Sequence, residues 1–182
     1  MPFTTCPIQG LVIVEPAVFE DSRGHFFESY NEALFKKNGI AAGFVQDNQS
    51  HSAYGVIRGL HYQRQPHAQA KLVRVLEGVI LDVAVDIRAG SPTYGQHFSI
   101  ELSAENKKQL FLPEGFAHGF SVLSPVAVVL YKCNAFYNKG SEGGIIYNDP
   151  ALNIDWRLKP GDAIVSEKDL QLPAFENAAA SF

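Results

Sequence analysis

Short strand-like runs, rich in hydrophobic residues and in part with polar residues at alternate positions, fill most of the chain after residue 44. Such runs occupy residues 11–14, 26–30, 44–50, 56–63, 70–77, 79–88, 97–103, 109–113, 116–124 and 126–137. Turn residues separate them, for example Gly55, Gly78 and the Ser-Pro pair at 124–125. Alternation with a period of two between closely spaced turns is typical of β-strands, because successive side chains of a strand point to opposite faces. The pattern therefore predicts an all-β sandwich, jelly roll or barrel.

One short helix is predicted within the first 40 residues. Asn31 is a suitable N-cap, Glu32 lies in the first turn, two lysines lie in the last turn, and Gly39 can end the helix. After Asn148 the chain becomes irregular, and we expect this tail to cover an open end of the β structure. The chain contains no linker, internal repeat or low-complexity segment, so residues 1–182 are expected to form one domain.

Polar side chains interrupt the most apolar strands between Gly55 and Arg88. Arg58, His61 and Lys71 all fall within this stretch, together with two aspartates. A polar group that is buried without a partner costs a few kcal/mol. Such residues on core strands therefore indicate that a cavity opens on that face. A histidine, two cations and carboxylates around one cavity suit an anionic substrate that loses a proton.

The spacing of Arg58 and His61 within this stretch predicts an irregularity in the strand. Arg58 and His61 are three residues apart, so a regular strand would point them to opposite faces. If both serve one site, Gly59 must carry a bulge or a kink. On a later strand, Tyr131 shares its face with small or short residues, which leaves room beside its ring.

Composition narrows the class of protein. The chain has 182 residues, of which 46% are hydrophobic and 19% charged, as in a globular domain. The net charge of −4 argues against general nucleic-acid binding. No apolar run approaches the ~20 residues of a membrane span, and the first ten residues lack the features of a signal peptide. We therefore expect a cytoplasmic protein whose two cysteines, Cys6 and Cys133, are reduced.

Two motifs resemble those of cupin barrels. The first cupin motif is matched by Gly55, His61 and Gly78, but Gln63 replaces its second histidine and Lys71 replaces its glutamate. The second motif is matched by PEGFAH at 113–118. A divalent metal needs several neutral or anionic ligands and is repelled by an ammonium group. The sequence thus predicts a cupin that uses acid–base chemistry and has no metal site.

The same residues resemble the dTDP-4-dehydrorhamnose 3,5-epimerase family more closely. The resemblance rests on SRGHFFES (22–29), QDNQS (46–50), RGLHYQ (58–63), the 71–88 run, PEGFAHGF (113–120), the strand that leads to Tyr131, YNDPALNIDW (147–156) and SEKD (166–169). It covers nearly the whole chain, with the segments in order. It implies a cupin-type jelly-roll barrel, a homodimer, and no cofactor. The implied activity is epimerisation at C3 and C5 of dTDP-4-dehydro-6-deoxy-D-glucose, which yields dTDP-4-dehydro-L-rhamnose for dTDP-L-rhamnose and cell-surface polysaccharide synthesis.

Four catalytic roles follow from the resemblance. His61 matches the general base, Asp169 the carboxylate that orients it, Lys71 the residue that stabilises the enolate oxygen, and Tyr131 the general acid. Taken alone, each has an ordinary structural interpretation. The histidine and tyrosine could be core residues, the lysine could extend to solvent, and the aspartate could belong to a helix cap that begins at Ser166.

The resemblance also implies a set of substrate contacts. Arg58, and Arg23 from the partner subunit, match residues that bind the pyrophosphate, and Phe26 and Tyr137 match residues that pack on the thymine. The remaining contacts to nucleotide or sugar are Glu28, Gln46, Asp47, Asn48, His118, Glu142 and Lys168, with Glu28 also supplied across the dimer interface. Asp82 is expected to orient either Lys71 or His118.

Other functions stay open at this point. A related epimerase that acts only at C3 or only at C5 would share the histidine, lysine and tyrosine. A non-catalytic cupin that binds a sugar nucleotide would not require the complete set of four residues. A metal-dependent cupin oxygenase is disfavoured by Lys71.

Overall fold

The computed structural model describes residues 1–178 and 182, which form thirteen strands, two short α-helices and two single 3-10 turns at Lys139–Ser141 and Phe175–Asn177. The strands are β1 (Phe3–Thr5), β2 (Val12–Val14), β3 (Val18–Asp21), β4 (Gly24–Phe27), β5 (Gln46–Ala53), β6 (Ile57–Gln63), β7 (Lys71–Glu77), β8 (Val79–Asp86), β9 (His97–Ser103), β10 (Gln109–Leu112), β11 (Phe116–Val122), β12 (Val126–Cys133) and β13 (Glu142–Gly144). The helices are α1 (Glu32–Lys37) and α2 (Glu167–Leu170). None of the helices within the described residues is long and apolar enough to cross a membrane.

Two antiparallel sheets form a cupin-type jelly roll, as the strand pattern predicted. One sheet has six strands in the order β1-β2-β10-β7-β12-β5, and the other has five in the order β13-β6-β11-β8-β9. Apolar side chains from both sheets, including Val73, Val129, Ile80 and Phe120, form one buried cluster between them. The site described below opens within this layer, so its walls are supported by the main core.

A second apolar cluster covers the outer face of the five-stranded sheet. There the alternate residues Leu81, Val83 and Val85 of β8 pack with Trp156 and other side chains of the C-terminal tail. The indole N–H of Trp156 donates to the carbonyl of Tyr147, which fixes the tail locally. This part of the tail therefore covers a sheet face, because the outward-facing residues of β8 are apolar and need a cover. The later part of the tail, residues 164–169, lines the opening of the cavity described below.

The predicted helix is confirmed. The side chain of Asn31 accepts a hydrogen bond from the N–H of Leu34, and Gly39, two residues beyond the helix, has a positive φ of 85°. Phe35 from α1 is buried in a third cluster beside β2 and β10. The helix thus packs, through a single buried aromatic ring, on the face of the six-stranded sheet that is turned away from the main core.

Some strand boundaries were predicted incorrectly. The run at 26–30 is a strand only up to Phe27, and the run at 126–137 ends at Cys133, after which the chain leaves the sheet. The three-residue strands β1 and β13 and the strand β3 were not predicted, because such short segments carry too little alternation to be recognised.

Gly59 produces the irregularity that the sequence required. In the pairing of β6 with β11, His61 lies opposite His118 and Arg58 lies opposite Phe120, so β6 contains one extra residue between the two pairs. Gly59 has a φ of 130°, which side chains disfavour. This bulge places both Arg58 and His61 along the same cavity.

Replacing Gly59 with alanine is expected to destabilise the fold by about 3 kcal/mol, since backbone strain and overpacking each cost roughly 1–3 kcal/mol. A Cβ at this position would lie 2.5 Å from the Cα of Gly119 and 2.8 Å from the carbonyl oxygen of His118. Urea unfolding measures the change. Gly90→Ala is the matched control, because Gly90 also has a positive φ of 79° but no atom within 4 Å of an added Cβ. Equal losses in the two variants would contradict the predicted clash.

Candidate active site

A cavity of about 690 Å³ opens between the two sheets. It brings together eight of the residues predicted from the sequence: Asn48, Arg58, His61, Lys71, His118, Tyr131, Lys168 and Asp169. These residues come from β5, β6, β7, β11, β12 and α2, so positions far apart in sequence meet in one site.

His61 and Asp169 form a hydrogen-bonded pair in this cavity. The Nε2 atom of His61 lies 2.8 Å from Oδ1 of Asp169, whose side chain is only 7% exposed. Burial alone would raise the pKa of Asp169, but the hydrogen bond and charge of His61 outweigh it and hold this pKa below its usual value. The carboxylate therefore stays ionised near neutral pH, and it fixes the ring so that Nδ1 of His61 is available as a base.

Asp169 makes both of the contacts that the sequence indicated. Its backbone N–H donates to the hydroxyl of Ser166, which caps α2, while its side chain binds His61. The helix cap thus positions the carboxylate, because the two interactions use different atoms of one residue.

Lys71 and Tyr131 lie on neighbouring strands of the opposite sheet. The Lys71 Nζ atom is 5.9 Å from the centre of the Tyr131 ring and 3.5 Å from the carbonyl oxygen of His61. Burial lowers the pKa of the Lys71 ammonium and raises the pKa of the Tyr131 phenol. The phenol is therefore protonated at neutral pH and can act as a proton donor.

A second pair, His118 and Asp82, lies directly beside the first. The Nε2 atom of His118 is 2.7 Å from Oδ1 of Asp82, and Asp82 is completely buried. His118 is the cross-strand neighbour of His61. Of the two roles left open for Asp82, the observed contact supports the orientation of His118.

Serine residues near Arg58 were missed in the sequence. Ser52 accepts a hydrogen bond of 3.0 Å from Nε of Arg58, which leaves the two terminal nitrogens of the guanidinium for other groups. Ser50 also lines the cavity. Their alternation with Gln46 and Asn48 on β5 was the available signal, since all four lie on one face of that strand.

A smaller cavity of about 420 Å³ adjoins the first and shares Asn48, His61, Lys71 and Tyr131 with it. Gln46, Tyr137 and Glu142 line its outer part. The Glu142 carboxylate accepts hydrogen bonds from Lys168 at 2.7 Å and from the Tyr137 hydroxyl at 3.2 Å. The hydrogen bond from Lys168 is the largest cause that lowers the pKa of Glu142.

Four predicted contacts lie outside both cavities. Arg23, Phe26 and Glu28 belong to or follow the β3–β4 hairpin, where Arg23 binds only the adjacent Asp21 among the described residues. Asp47 lies on the exposed face of β5 and forms an ion pair of 3.0 Å with Lys132. Strand alternation turns Asp47 away from Gln46 and Asn48, so within this subunit it does not line either cavity, and its contact with the substrate stays a prediction.

Several donor atoms of the cupin motifs, including Nε2 of both histidines, are engaged in other contacts. His61 and His118 each bind a carboxylate, and Gln63 binds backbone groups. Among residues 1–178 and 182, no group of three or more His, Cys, Asp or Glu side chains is arranged to hold a metal ion.

Comparison with known proteins assigns the chain to a family. The family model for dTDP-4-dehydrorhamnose 3,5-epimerase matches residues 5–177. The chain belongs to the dTDP-4-dehydrorhamnose 3,5-epimerase family. It is 52% identical to the dTDP-4-dehydrorhamnose 3,5-epimerase of Pseudomonas aeruginosa over 179 residues, which cover 98% of each chain.

Solved structures of this family superimpose closely on the chain. The Elizabethkingia anophelis dTDP-4-dehydrorhamnose 3,5-epimerase has a TM-score of 0.92 and 54% identity, with 97% of each chain covered. The Legionella pneumophila dTDP-6-deoxy-D-glucose-3,5-epimerase, solved in complex with dTDP-4-keto-L-rhamnose, has a TM-score of 0.93 and 47% identity, with 97% of this chain and 93% of that chain covered. The family membership and the jelly-roll fold expected from the sequence are thereby confirmed.

Proposed function

We propose that this chain epimerises C3 and C5 of dTDP-4-dehydro-6-deoxy-D-glucose with His61 as the general base and Tyr131 as the general acid. The observation that carries this proposal is that the two groups extend from facing sheets, His61 from β6 and Tyr131 from β12, into one cavity. Inversion at a carbon requires removal of the proton on one face of the sugar and its return on the other.

The chemistry of the substrate explains why one site serves two carbons. C3 and C5 both flank the C4 ketone, so removal of either proton gives an enolate whose charge rests on the C4 oxygen. The Lys71 ammonium, desolvated within the cavity, stabilises that oxygen electrostatically. His118, held by Asp82, hydrogen-bonds the sugar from the same wall as His61. No redox step is required, because the ketone is regenerated after each proton transfer.

Binding of the nucleotide uses the outer part of the site. Arg58 offers a guanidinium whose fork suits pyrophosphate oxygens. Tyr137 forms the wall for the nucleoside, and around it lie Gln46, Asn48, Glu142 and Lys168.

The proposal also covers the domain organisation and the compartment. Residues 1–182 act as one catalytic domain, and the protein works in the cytoplasm, where the thiols of Cys6 and Cys133 stay reduced.

Product analysis tests this activity. The protein is incubated with dTDP-4-dehydro-6-deoxy-D-glucose, and the products are identified by proton NMR. The proposal predicts the L-lyxo product, inverted at both C3 and C5. A product inverted at one carbon only would identify a single-site epimerase, and unchanged substrate with bound nucleotide would identify a binding protein.

A homodimer would complete the site. The side chain of Arg23 is 88% exposed, and the paired residues Phe19 and Phe26 of the same hairpin are 66% and 71% exposed. Exposed aromatic pairs of this kind are typical of interfaces. Since the hairpin does not line its own subunit's cavity, Arg23 and Glu28 are supplied to the partner's site.

Mixing two defective variants tests the shared site. Arg23→Ala and His61→Asn subunits are each expected to be weakly active at low substrate concentration. After dissociation and reassociation, a mixed dimer contains one site with both an intact His61 and an intact Arg23 from the other subunit. Random mixing should restore about a quarter of wild-type activity, since half of the dimers are mixed and each has one complete site. No recovery, or a monomer by light scattering, would contradict the role of Arg23 in trans.

A further inference from the structure

The loop that carries Tyr137 is held by three glutamine side chains. This loop, residues 134–138, follows β12 and forms one wall of the smaller cavity through Tyr137. Gln46, Gln63 and Gln69 line the same cavity. We refer to these three glutamines as the glutamine brace.

The brace binds one backbone group on each of four consecutive residues. Gln69 donates a hydrogen bond of 2.8 Å to the carbonyl oxygen of Ala135, and Gln46 accepts one of 3.0 Å from the N–H of Tyr137. Gln63 donates a hydrogen bond of 3.3 Å to the carbonyl oxygen of Phe136 and accepts one of 2.6 Å from the N–H of Asn138. Its amide nitrogen also donates 2.7 Å to the carbonyl of His67, which ties the loop to the turn after β6.

Hydrophobic burial contributes little to holding this loop. Phe136 is 69% exposed and Tyr137 is 55% exposed. By contrast, Gln63 is only 4% exposed, so its carboxamide is removed from competing water. The position of the Tyr137 ring therefore depends on hydrogen bonds, namely those of the brace to the loop backbone and the one from the Tyr137 hydroxyl to Glu142.

Gln63 also stands where the cupin motif has its second histidine. A neutral histidine has one donor and one acceptor nitrogen, so it could not make the two donated hydrogen bonds and the one accepted bond that Gln63 makes. The substitution that removes a metal ligand thus supplies the centre of the brace.

We propose that the glutamine brace, centred on Gln63, fixes the 134–138 loop before the nucleotide binds, so that Tyr137 presents a rigid wall to the nucleoside. Gln63 is a positioning residue for nucleotide binding and acts through Tyr137. This inference rests on the proposed function, since it assigns Tyr137 to the nucleotide. Pre-ordering the loop raises affinity because the binding step no longer carries its entropic cost.

Gln63→Met tests the brace, because methionine fills a similar volume and can make none of the three hydrogen bonds. Hydrogen exchange of the free protein should show the Asn138 amide exchanging about tenfold faster, since it loses its acceptor. The dissociation constant for dTDP and the KM for the sugar nucleotide should each rise about tenfold, while kcat falls no more than about threefold. Gln65→Met is the matched control, because the exposed Gln65 amide binds Glu114 and not the loop.

A double-mutant cycle separates positioning from a general structural effect. In a Tyr137→Ala background, Gln63→Met should have no further effect on dTDP affinity, because the ring that it positions is gone. An additive effect in that background, or unchanged exchange and affinity in Gln63→Met itself, would overturn the proposal.

The wild-type protein distinguishes failure of the brace from failure of the proposed function. If the wild type bound dTDP but formed no product, the proposed function would be contradicted, whereas the role of the brace in nucleotide binding would not. If the wild type did not bind dTDP, the role of the brace in nucleotide binding would be overturned.

Discussion

Replacing His61 with asparagine is expected to lower kcat about 10³-fold, within the range by which a positioned general base accelerates proton transfer. Asparagine keeps a polar group near Asp169 but provides no basic nitrogen. Both epimerisations should be lost together, because a single imidazole faces the carbons on either side of the ketone. Steady-state conversion of dTDP-4-dehydro-6-deoxy-D-glucose measures the effect.

Two controls make this result interpretable. Affinity for dTDP should remain within a few-fold of wild type, because the nucleotide contacts do not involve His61. His51→Asn should be as active as wild type, since His51 lies exposed on the outer face of β5. Retention of either epimerisation at a wild-type rate in His61→Asn would show that another group is the base at that carbon.

Replacing Tyr131 with phenylalanine is expected to reduce formation of the inverted product by 10²-fold or more, while the first deprotonation is reduced much less. In the proposed mechanism the phenol donates the proton that completes inversion, and the loss of a general acid costs typically 10²–10⁴-fold. Burial raises the pKa of this phenol, so the wild-type acid is fully protonated well above neutral pH. The ratio of solvent-deuterium exchange to net inversion measures the division of roles.

In Tyr131→Phe the enolate is formed by His61 but can be reprotonated only from the face on which it was made. Exchange should therefore continue with retention of configuration. Tyr54→Phe is the matched control, because the Tyr54 hydroxyl binds Asp162 and is not part of either cavity. Exchange and inversion reduced by the same factor in Tyr131→Phe would contradict the separate roles of base and acid.

Much of the fold could be predicted because it depends on local sequence. The strands from β5 to β12 each fall on a short apolar or alternating run between turn residues, and the bulge at Gly59 followed from the three-residue spacing of Arg58 and His61. The extent of β4 and β12 could not be predicted in the same way. Their final residues leave the sheet because of contacts made by distant segments, such as those of the glutamine brace.

The candidate site shows a similar division. The types of catalytic residue could be predicted from polar groups on apolar strands together with the family resemblance. Pairings between distant segments could not. The contact of Asp82 with His118, and the two functions of Asp169, depend on which strands become neighbours. The face on which Asp47 lies could not be predicted either, because a matched segment does not specify the orientation of each of its residues.

Deuterium incorporation during a single incubation tests the central claim most directly. The wild-type protein is incubated with dTDP-4-dehydro-6-deoxy-D-glucose in deuterium oxide, and the label is located by NMR. Our account predicts deuterium at both C3 and C5, with inversion at both carbons and no exchange at either carbon in His61→Asn. Label at only one carbon in the wild type, or exchange that persists without His61, would contradict it.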